Sequence, residues 1–427
     1  MDHFDFRDGV MCAESVAIPE IAAAVGTPFY CYSTATLTRH YRVLESAFTG
    51  RGVLIAYSVK ANSNLAVIAT LARLGAGADV VSEGEGRRAL AAGVAPERVV
   101  FSGVGKTRDE MTYALAHGIV HFNVESAPEL EVLSAVAVEA GVTARVALRV
   151  NPDVAAGTHD KISTGRKFDK FGVPIAAAPM LYRRAATLPG LHVDGVDIHI
   201  GSQLTDLEPL RQAFERAIEL VHALRGEGHR IDRLDLGGGL GIPYGTETPP
   251  GPDAYARMVF ALTKDLDCRI VLEPGRVIAG NAGLLISTVV YVKDTEDRRI
   301  VILDSAMNDL IRPALYGASH IVVPVREPGA GAPLSPVDLV GPICESTDTF
   351  AVDRPMPPLA PGDLVAFRSA GAYGAVMASS YNSRLLVPEV LVDGDRFAVV
   401  RPRPNYETLL AADRIPDWLQ NANVTAE

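Results

Sequence analysis

The chain has 427 residues, 48% of them hydrophobic and 21% charged, with a formal net charge of −11. This length allows two domains with sizeable cores, and the acidic balance argues against a nucleic-acid partner, because phosphate backbones are bound by basic clusters. The first residues, MDHFDF, contain no apolar targeting core, and the apolar stretch 130–150 is interrupted by Glu131, Glu139 and Arg145, so we expect a soluble cytoplasmic protein with no membrane span.

Strand-like and helix-like segments alternate from about residue 35 to residue 275. The strand candidates are Val53–Val59, Ala78–Ser82, Arg98–Ser102, Val120–Val124, Arg145–Val150, Gly195–Ile200, Arg233–Leu236 and Ile270–Leu272. The amphipathic runs between them often end at a glycine, as at Gly75 and Gly141, which is typical of helix C-termini. Eight such units predict an α/β fold with a closed (β/α)8 TIM-like barrel over residues 35–275. The alternative is an open doubly wound sheet, but its glycine-rich loop should follow the first strand.

After about residue 280 apolar segments recur without long helices between them. They are Leu284–Val292, Arg299–Leu303, Ile321–Val325, Val337–Val340, Leu364–Phe367 and Glu389–Val400. Asp393-Gly394 lies between two apolar runs and predicts a hairpin turn. We therefore expect residues 276–427 to form a mostly antiparallel β domain, with residues 1–34 packed onto it.

Lys60 ends the first predicted strand of the barrel. Enzymes of this architecture collect their reactive groups at the C-terminal ends of the strands. A partly desolvated lysine there can lose its proton near neutral pH and form an imine with an aldehyde cofactor. A surface lysine that caps the strand is the alternative.

Three later strand ends add groups that suit one cofactor. HIGS at 199–202 follows strand six, GGGLG at 237–241 follows strand seven, and EPGR at 273–276 follows strand eight. His199 could instead be a core histidine, and the glycines could form only a tight turn. Glycines after strands seven and eight, however, stand where such barrels hold phosphate, because bare N–H groups can approach the anion. A phosphate site, an amine, a flat histidine and a carboxylate together indicate pyridoxal phosphate.

Glu273 indicates which pyridoxal chemistry follows. A carboxylate beside the pyridine nitrogen keeps a proton there, and the cationic ring is then a strong electron sink for the carbanion left by loss of CO2. A racemase gains from a weaker sink, and such enzymes usually place an arginine at this position. The alternative for Glu273 is a salt bridge to a barrel lysine or to Arg276.

The chain resembles the diaminopimelate decarboxylase family over nearly its whole length, from Thr27 to Pro402. The motifs that carry the resemblance are HIGSQ at 199–203, GGGLGIPY at 237–244, EPGR at 273–276, GPICES at 341–346 and SAGAYG at 369–374. The resemblance implies an alanine-racemase-like barrel with a C-terminal β domain and pyridoxal 5'-phosphate as cofactor. It implies decarboxylation of meso-2,6-diaminopimelate to L-lysine and CO2, the last step of lysine biosynthesis.

The resemblance also implies residue roles. Lys60 would form the imine with the cofactor, and His199 would stack on its ring. The other cofactor contacts implied are Ser202, Gly238, Gly239, Glu273, Gly275, Arg276 and Tyr373. Cys344 would return a proton to the carbanion, Glu345 would contact the substrate, and Tyr373 would contact both cofactor and substrate. All three would come from the neighbouring subunit of a homodimer. Read without the family, Cys344 is an ordinary buried packing residue.

Substrate choice follows from charge. Diaminopimelate carries an ammonium and a carboxylate at the end remote from the reacting carbon, so its pocket needs an anion and a bidentate arginine. Glu345 supplies the anion, Arg276 and Arg312 the grip, and Tyr316 a hydroxyl. The resemblance implies Tyr373 as a further substrate contact. Arg312 and Tyr316 share a face if their segment is helical, which Pro313 leaves open. The alternative for Arg312 is an exposed surface charge.

Two departures from the family pattern and two alternative functions remain. The lysine motif reads Tyr-Ser-Val-Lys where Tyr-Ala-x-Lys is commoner, and Phe168-Asp169 replaces a more frequent Glu-Asn.

The first alternative function is a decarboxylase of ornithine or lysine, whose substrate lacks the distal carboxylate. A non-catalytic pyridoxal-phosphate-binding protein would need only the barrel. We predict no metal site, because the cysteines lack ligand spacing and Gly118 separates His117 from His121.

Overall fold

The computed structural model describes residues 2–155 and 170–420. The N-terminal elements are β1 (Phe4–Arg7), β2 (Val10–Ala13), β3 (Val16–Ala17), α1 (Ile18–Val25) and β4 (Phe29–Ser33). Strands β1 to β3 form a small antiparallel sheet. Helix α1 has a proline in its first turn, where no backbone hydrogen bond is lost, and it buries Ile18 and Ile21.

Eight parallel strands then close into a barrel. They and one short flanking strand are β5 (Leu54–Ser58), β6 (Gly77–Val80), β7 (Val99–Phe101), β8 (His121–Val124), β9 (Ala144–Asn151), β10 (Val173–Pro174), β11 (Leu191–Asp197), β12 (Arg233–Asp235) and β13 (Arg269–Leu272). The ring closes where β13 pairs with β5, with Val271 opposite Leu54. Strand β10 pairs with β9 and lies outside the ring. The predicted barrel is confirmed, and the open sheet is wrong.

Several of the helices around the barrel begin with a side-chain cap. They are α2 (Thr34–Ala47), α3 (Leu65–Ala72), α4 (Glu83–Ala91), α5 (Arg108–Ala116), α6 (Ala127–Ala140), α7 (Ala178–Ala185), α8 (Glu208–Gly226) and α9 (Pro252–Thr263). Ser82 and Ser126 accept hydrogen bonds from the first turns of α4 and α6. Thr107 and Glu110 form a capping box at α5. Gly141 ends α6 with φ of 67°, as the glycine pattern predicted.

The chain leaves the barrel through α10 (Arg276–Ala279) and continues mainly as β structure. Its elements are β14 (Gly283–Asp294), β15 (Arg299–Leu303), α11 (Arg312–Tyr316), β16 (Val322–Pro324), β17 (Ser335–Val340), β18 (Thr349–Met356), β19 (Leu364–Phe367), β20 (Glu389–Asp393), β21 (Arg396–Arg401), α12 (Tyr406–Leu410) and α13 (Asp417–Gln420). Most pairs are antiparallel, whereas β15 with β17 and β4 with β20 are parallel. The predicted hairpin at Asp393-Gly394 joins β20 to β21.

The N-terminal strand β4 lies inside this second sheet, between β14 and β20. Its five side chains are all buried, which explains why a short apolar segment precedes the barrel helices. The mostly antiparallel second domain is therefore confirmed as a fold feature, whereas the boundaries at residues 35 and 275 stay a prediction. None of the described helices is long and apolar enough to cross a membrane.

Close backbone contacts fix the second sheet against the barrel. The Asn62 side chain donates to the carbonyl of Gly371 (2.9 Å), and the Tyr373 amide donates to the carbonyl of Ala61 (2.8 Å). A Cβ atom at Gly371 would lie 2.1 Å from the carbonyl oxygen of Ala279, so only glycine fits there. The loop 369–374 is thus held beside the end of strand β5.

Candidate active site

Lys60 lies in a short 3-10 helix, Val59–Ala61, directly after β5. Its Nζ is 2.7 Å from Oδ2 of Asp79, which is fully buried on the neighbouring strand β6. The Ser58 hydroxyl donates to the same carboxylate oxygen at 2.6 Å. The Lys60 side chain remains 36% exposed and lines a cavity at the C-terminal end of the barrel, so it is not a surface cap.

Two effects oppose each other at the Lys60 ammonium. Burial lowers its pKa, but the negative charge of Asp79, which also accepts a hydrogen bond from the ammonium, outweighs burial, and the pKa lies above its ordinary value. The prediction that desolvation releases this proton near neutral pH is therefore wrong for the described arrangement. Asp79 was not among the predicted site residues, although it stands near the C-terminal end of the strand that neighbours β5 in the barrel.

His199 follows β11 and faces the same cavity as Lys60. Its Nδ1 accepts a hydrogen bond from the Gly238 amide at 3.2 Å. Burial first, and then the positive charges of Arg149 and Lys60, lower the pKa of His199 to about 3. The imidazole is therefore neutral at physiological pH, and its ring lines the cavity instead of packing in the core.

The glycine loops bring four strand ends together. A Cβ atom at Gly238 would lie 2.3 Å from the Glu273 carbonyl oxygen, and one at Gly239 would lie 2.7 Å from the Gly201 carbonyl oxygen. A Cβ atom at Gly275 would approach that of Ala61 to 2.9 Å. Gly239 also has φ of 115°, so both the turn and the close approach require glycine. The result is a narrow end of the cavity walled by backbone.

Glu273 lies at the bottom of this cavity among other carboxyl groups. Its Oε1 accepts hydrogen bonds from Ser102 Oγ and Asn123 Nδ2, both at 3.2 Å. Carboxylate oxygens of Asp197, Asp235 and Glu273 lie within 4.8 Å of one another. Burial, followed by repulsion from Asp235, raises the pKa of Glu273 well above its usual range. The hydrogen bonds of Glu273 thus come from neutral groups and not from a lysine or Arg276.

Two buried arginines form the opposite wall. Arg276 donates to Tyr244 Oη (2.6 Å) and Ser202 Oγ (3.1 Å), and Arg312 Nη1 donates to His320 Nε2 (2.7 Å). Each arginine is only 6% exposed, so the surface-charge alternative for Arg312 is wrong. Helix α11 is formed because Pro313 stands in its first turn, where proline is tolerated.

The cavity between these walls has a volume of about 510 Å³. It brings together most of the predicted residues, and those on its wall are Lys60, His199, Ser202, Arg276, Arg312, Tyr316 and Tyr373. Its narrow end is lined by Gly238, Gly239, Glu273 and Gly275. The Arg276 guanidinium stands 4.6 Å from the centre of the Tyr373 ring. Tyr373 thus lines the Lys60 cavity of its own chain, whereas the resemblance placed it on the neighbouring subunit. One face of the barrel therefore carries an amine, a neutral imidazole, a carboxyl group and two guanidinium groups.

These groups fit pyridoxal phosphate. The glycine backbone at the narrow end suits a phosphate, and the neutral His199 ring offers a flat face. A buried Glu273 with a raised pKa is a carboxyl group that can share a proton with a pyridine nitrogen. Lys60 supplies the amine for the aldehyde, so the residues present match four parts of the cofactor: the phosphate, the ring face, the ring nitrogen and the aldehyde.

Comparison with known proteins agrees with this chemistry. The family described as "Pyridoxal-dependent decarboxylase, pyridoxal binding domain" matches residues 34–280. Diaminopimelate decarboxylase of Zymomonas mobilis is 48% identical over 97% of this chain and 99% of its own length. The chain belongs to the diaminopimelate decarboxylase family. It is a pyridoxal-phosphate-dependent decarboxylase.

Solved structures of the family share the whole architecture. Diaminopimelate decarboxylase from Helicobacter pylori complexed with L-lysine has a TM-score of 0.89 at 41% identity, covering 92% of this chain and 98% of that one. The enzyme from M. jannaschii in co-complex with L-lysine has a TM-score of 0.93 at 36% identity, covering 98% of this chain and 99% of that one.

Cys344 and Glu345, expected at diaminopimelate decarboxylase sites, lie elsewhere in this chain. Both are exposed, and neither lines the cavity around Lys60. The Cys344 amide donates to Asn382 Oδ1 at 3.1 Å. Hydrogen bonds from Thr347 and Tyr381 lower the pKa of Glu345. The alternative of Cys344 as a buried packing residue is wrong, and its role in proton return stays a prediction.

Several polar residues around the cavity were not predicted from the sequence. The additional polar side chains at or behind the cavity are Asp79, Ser102, Asn123, Arg149, Tyr244 and His320. Asp79, Asn123 and Arg149 each interrupt an apolar strand near its C-terminal end, and that interruption was the available signal. Phe168 and Asp169 lie outside the described residues.

Proposed function

We propose that this chain removes CO2 from the D-centre of meso-diaminopimelate and yields L-lysine. The observation that carries the proposal is the pair of buried guanidinium groups of Arg276 and Arg312, which face the cavity of Lys60. Their hydrogen bonds go to the neutral groups Tyr244, Ser202 and His320. The wall therefore keeps positive charge available for an anion.

This charge suits a substrate with a carboxylate at each end. Diaminopimelate keeps one carboxylate after the other leaves as CO2, and an arginine pair can hold the one that stays. L-lysine, which the solved relatives from H. pylori and M. jannaschii bind, carries that remaining carboxylate. Ornithine and lysine as substrates offer no distal carboxylate, so the arginines would be left without an anionic partner.

The cofactor, when bound, supplies an electron sink for the bond that releases CO2. In the proposed arrangement Lys60 is its point of attachment, and Asp79 holds the Lys60 amine in place. Glu273 would hold a proton at the ring nitrogen, and the neutral His199 would cover the ring and exclude water. The amides of the glycine loops would donate hydrogen bonds to the phosphate.

A second copy of the chain would complete the site. Cys344 and Glu345 are exposed on their own subunit, so they are free to reach the cavity of a neighbour in a symmetric dimer. In that dimer the partner thiol returns a proton to the reacting carbon, and the partner carboxylate meets the distal ammonium of the substrate. Each of two active sites would then contain residues of both subunits.

Substrate choice is tested by measuring CO2 release from diaminopimelate, lysine and ornithine side by side. We expect release from diaminopimelate, with kcat/KM falling roughly a hundredfold in Arg312→Ala, mostly through KM, because a buried charged hydrogen-bond pair is worth about 2–3 kcal/mol. Arg87→Ala changes an exposed arginine on α4 and serves as the control. Faster release from ornithine or lysine would contradict the proposal, and unchanged KM in Arg312→Ala would remove the selectivity argument.

Cofactor attachment is tested by borohydride reduction followed by peptide mapping. We expect the reduced cofactor on the peptide that contains Lys60, with none in Lys60→Ala. Lys264→Ala, at an exposed lysine, should label like the wild type. Cofactor bound without any CO2 from the three amino acids would favour a non-catalytic binding protein instead.

A further inference from the structure

A polar network lies behind Glu273, inside the barrel. Asn123 on β8 is fully buried, and its Nδ2 is 3.2 Å from Ser102 Oγ, 3.1 Å from Asp235 Oδ2 and 3.2 Å from Glu273 Oε1. Ser102 Oγ also donates to Glu273 Oε1 at 3.2 Å. Asn123 is thus an amide donor placed between two carboxyl groups on separate strands.

These carboxyl groups outnumber the cations near them. Oxygens of Asp197, Asp235 and Glu273 lie within 4.8 Å of one another, and all three side chains are buried. Two cations of the barrel interior are already paired, Lys60 with Asp79 and Arg149 with the Glu125 carboxylate. Three neighbouring carboxylates cannot all stay ionised in a medium of low polarity. At least one proton therefore belongs to the group.

We propose that Asn123 is a positioning residue that determines which oxygen of Glu273 carries this proton. Oε1 accepts hydrogen bonds from Asn123 and Ser102, so the proton is left to Oε2. The inference rests on the proposed function, which places the cofactor ring nitrogen at Glu273. Asn123 would then aim the acidic hydrogen of Glu273 at that nitrogen and hold Asp235 as its negative neighbour.

The amide is suited to this place because it donates without adding charge. The charged or titratable groups that face the network from the surrounding elements are Lys60 after β5, Asp79 on β6, Glu125 after β8, Arg149 on β9, Asp197 on β11, His199 after β11, and Arg233 and Asp235 on β12. An aspartate at position 123 would be one more carboxyl group among them. Protonated, it can still donate to Glu273; ionised, it can only repel it.

The experiment measures cofactor affinity and the visible spectrum of the bound cofactor from mildly acidic to mildly alkaline pH. Asn123→Ala should weaken pyridoxal-phosphate affinity about tenfold or more at every pH, since a buried hydrogen bond to a charged group is lost. Asn123→Asp should resemble the wild type in acid and approach Asn123→Ala as pH rises. Ser134→Ala, which removes a buried hydrogen bond to Pro189 on the outside of the barrel, is the control for stability.

Two results would overturn the inference. One is an equal loss of affinity in Asn123→Ala and Asn123→Asp at all pH values, and the other is a wild-type spectrum and affinity in Asn123→Ala despite a drop in Tm like that of Ser134→Ala. Glu273→Gln separates this inference from the proposed function. If Glu273→Gln keeps the wild-type spectrum and affinity, the cofactor placement itself fails. If only Glu273→Gln changes them, Asn123 alone loses its role.

Discussion

At the scale of single residues, the Lys60–Asp79 pair shows how a neighbour reverses the effect of burial. The ammonium and the carboxylate are 2.7 Å apart, with Asp79 wholly inside the barrel. In such surroundings attraction between opposite charges exceeds its value in water several-fold. The Lys60 amine therefore keeps its proton as long as the ionised Asp79 lies beside it.

Asp79→Asn removes the carboxylate while keeping the shape of the side chain. Burial then dominates, so the pKa of Lys60 falls below that in the wild type. We expect the cofactor-free variant to bind pyridoxal phosphate at lower pH than the wild type, followed as the absorbance change against pH. Asp5→Asn, at an exposed position of β1, is the matched control, and an unmoved pH midpoint in Asp79→Asn would refute the pairing.

At the scale of elements, the two ends of the barrel differ in purpose. The C-terminal strand ends carry Lys60, His199 and Glu273, whereas the N-terminal ends carry an ionic layer in which Arg233 lies 3.3 Å from Asp194. In barrels of this kind the C-terminal strand ends carry the active site, and residues at the N-terminal ends contribute to stability. Substitutions at the C-terminal end should therefore change cofactor affinity, and substitutions at the N-terminal end should change Tm.

Gly238→Ala tests the C-terminal end. Its Cβ atom would lie 2.3 Å from the Glu273 carbonyl oxygen, so the loop must move and the cofactor should bind at least about tenfold more weakly. Gly251→Ala is the control, because no atom lies within 4 Å of its Cβ and its φ is −77°. Equal cofactor affinity in the two variants would show that the close approach of the loops is unimportant.

His121→Asn tests the N-terminal end. Burial first, and then Arg233, lower the pKa of His121 from 6.5 to about 3, and Arg233 donates to its Nδ1 at 2.8 Å. A lowered histidine pKa means that protons bind the unfolded chain better, so this contribution to stability is full above pH 6.5 and declines as pH falls toward 3. Tm should fall less between pH 7 and pH 5 in His121→Asn than in the wild type, with cofactor affinity unchanged.

A steeper acid loss of Tm in His121→Asn would show that the ring is not held neutral in the folded protein. His117→Asn changes a histidine exposed at the end of α5 and serves as the matched replacement. Wild type and both variants are measured at the same saturating cofactor concentration, so that the stabilisation by cofactor binding is the same in each.

At the scale of the whole molecule, the second sheet does two things. It holds Tyr373 against Ala61 beside Lys60, and it displays Cys344 and Glu345 away from that cavity. A single chain therefore carries the Lys60 cavity at one place and an exposed thiol and carboxylate at another. This arrangement favours the proposed dimer with shared sites.

Mixing two inactive variants tests that dimer. Lys60→Ala and Cys344→Ala are each expected to lose most activity, yet their mixture should recover about a quarter of the wild-type rate, because half of the dimers are mixed and each has one intact site. Co-refolding Lys60→Ala with Lys60→Arg is the control and should recover nothing. No recovery in the first mixture would place both residues in the same subunit's site.

Much of the molecule was determined by local sequence pattern. Alternating apolar strands and capped helices predicted the barrel, and the strand-end rule placed Lys60, His199 and Glu273 on one face, because the C-terminal ends of parallel strands meet there. These features depend on residues close together in the chain, because hydrophobic periodicity and turn-forming residues determine local secondary structure.

The tertiary structure alone decided the rest. It set Asp79 beside Lys60, Asn123 between Asp235 and Glu273, and strand β4 inside the second sheet. Contacts of this kind join residues far apart in sequence, and hydrogen bonds and pKa values depend on the last few ångströms between them. The periodicity of a sequence does not define these distances. The protonation of Lys60 and of Glu273 therefore depends on how the strands pack.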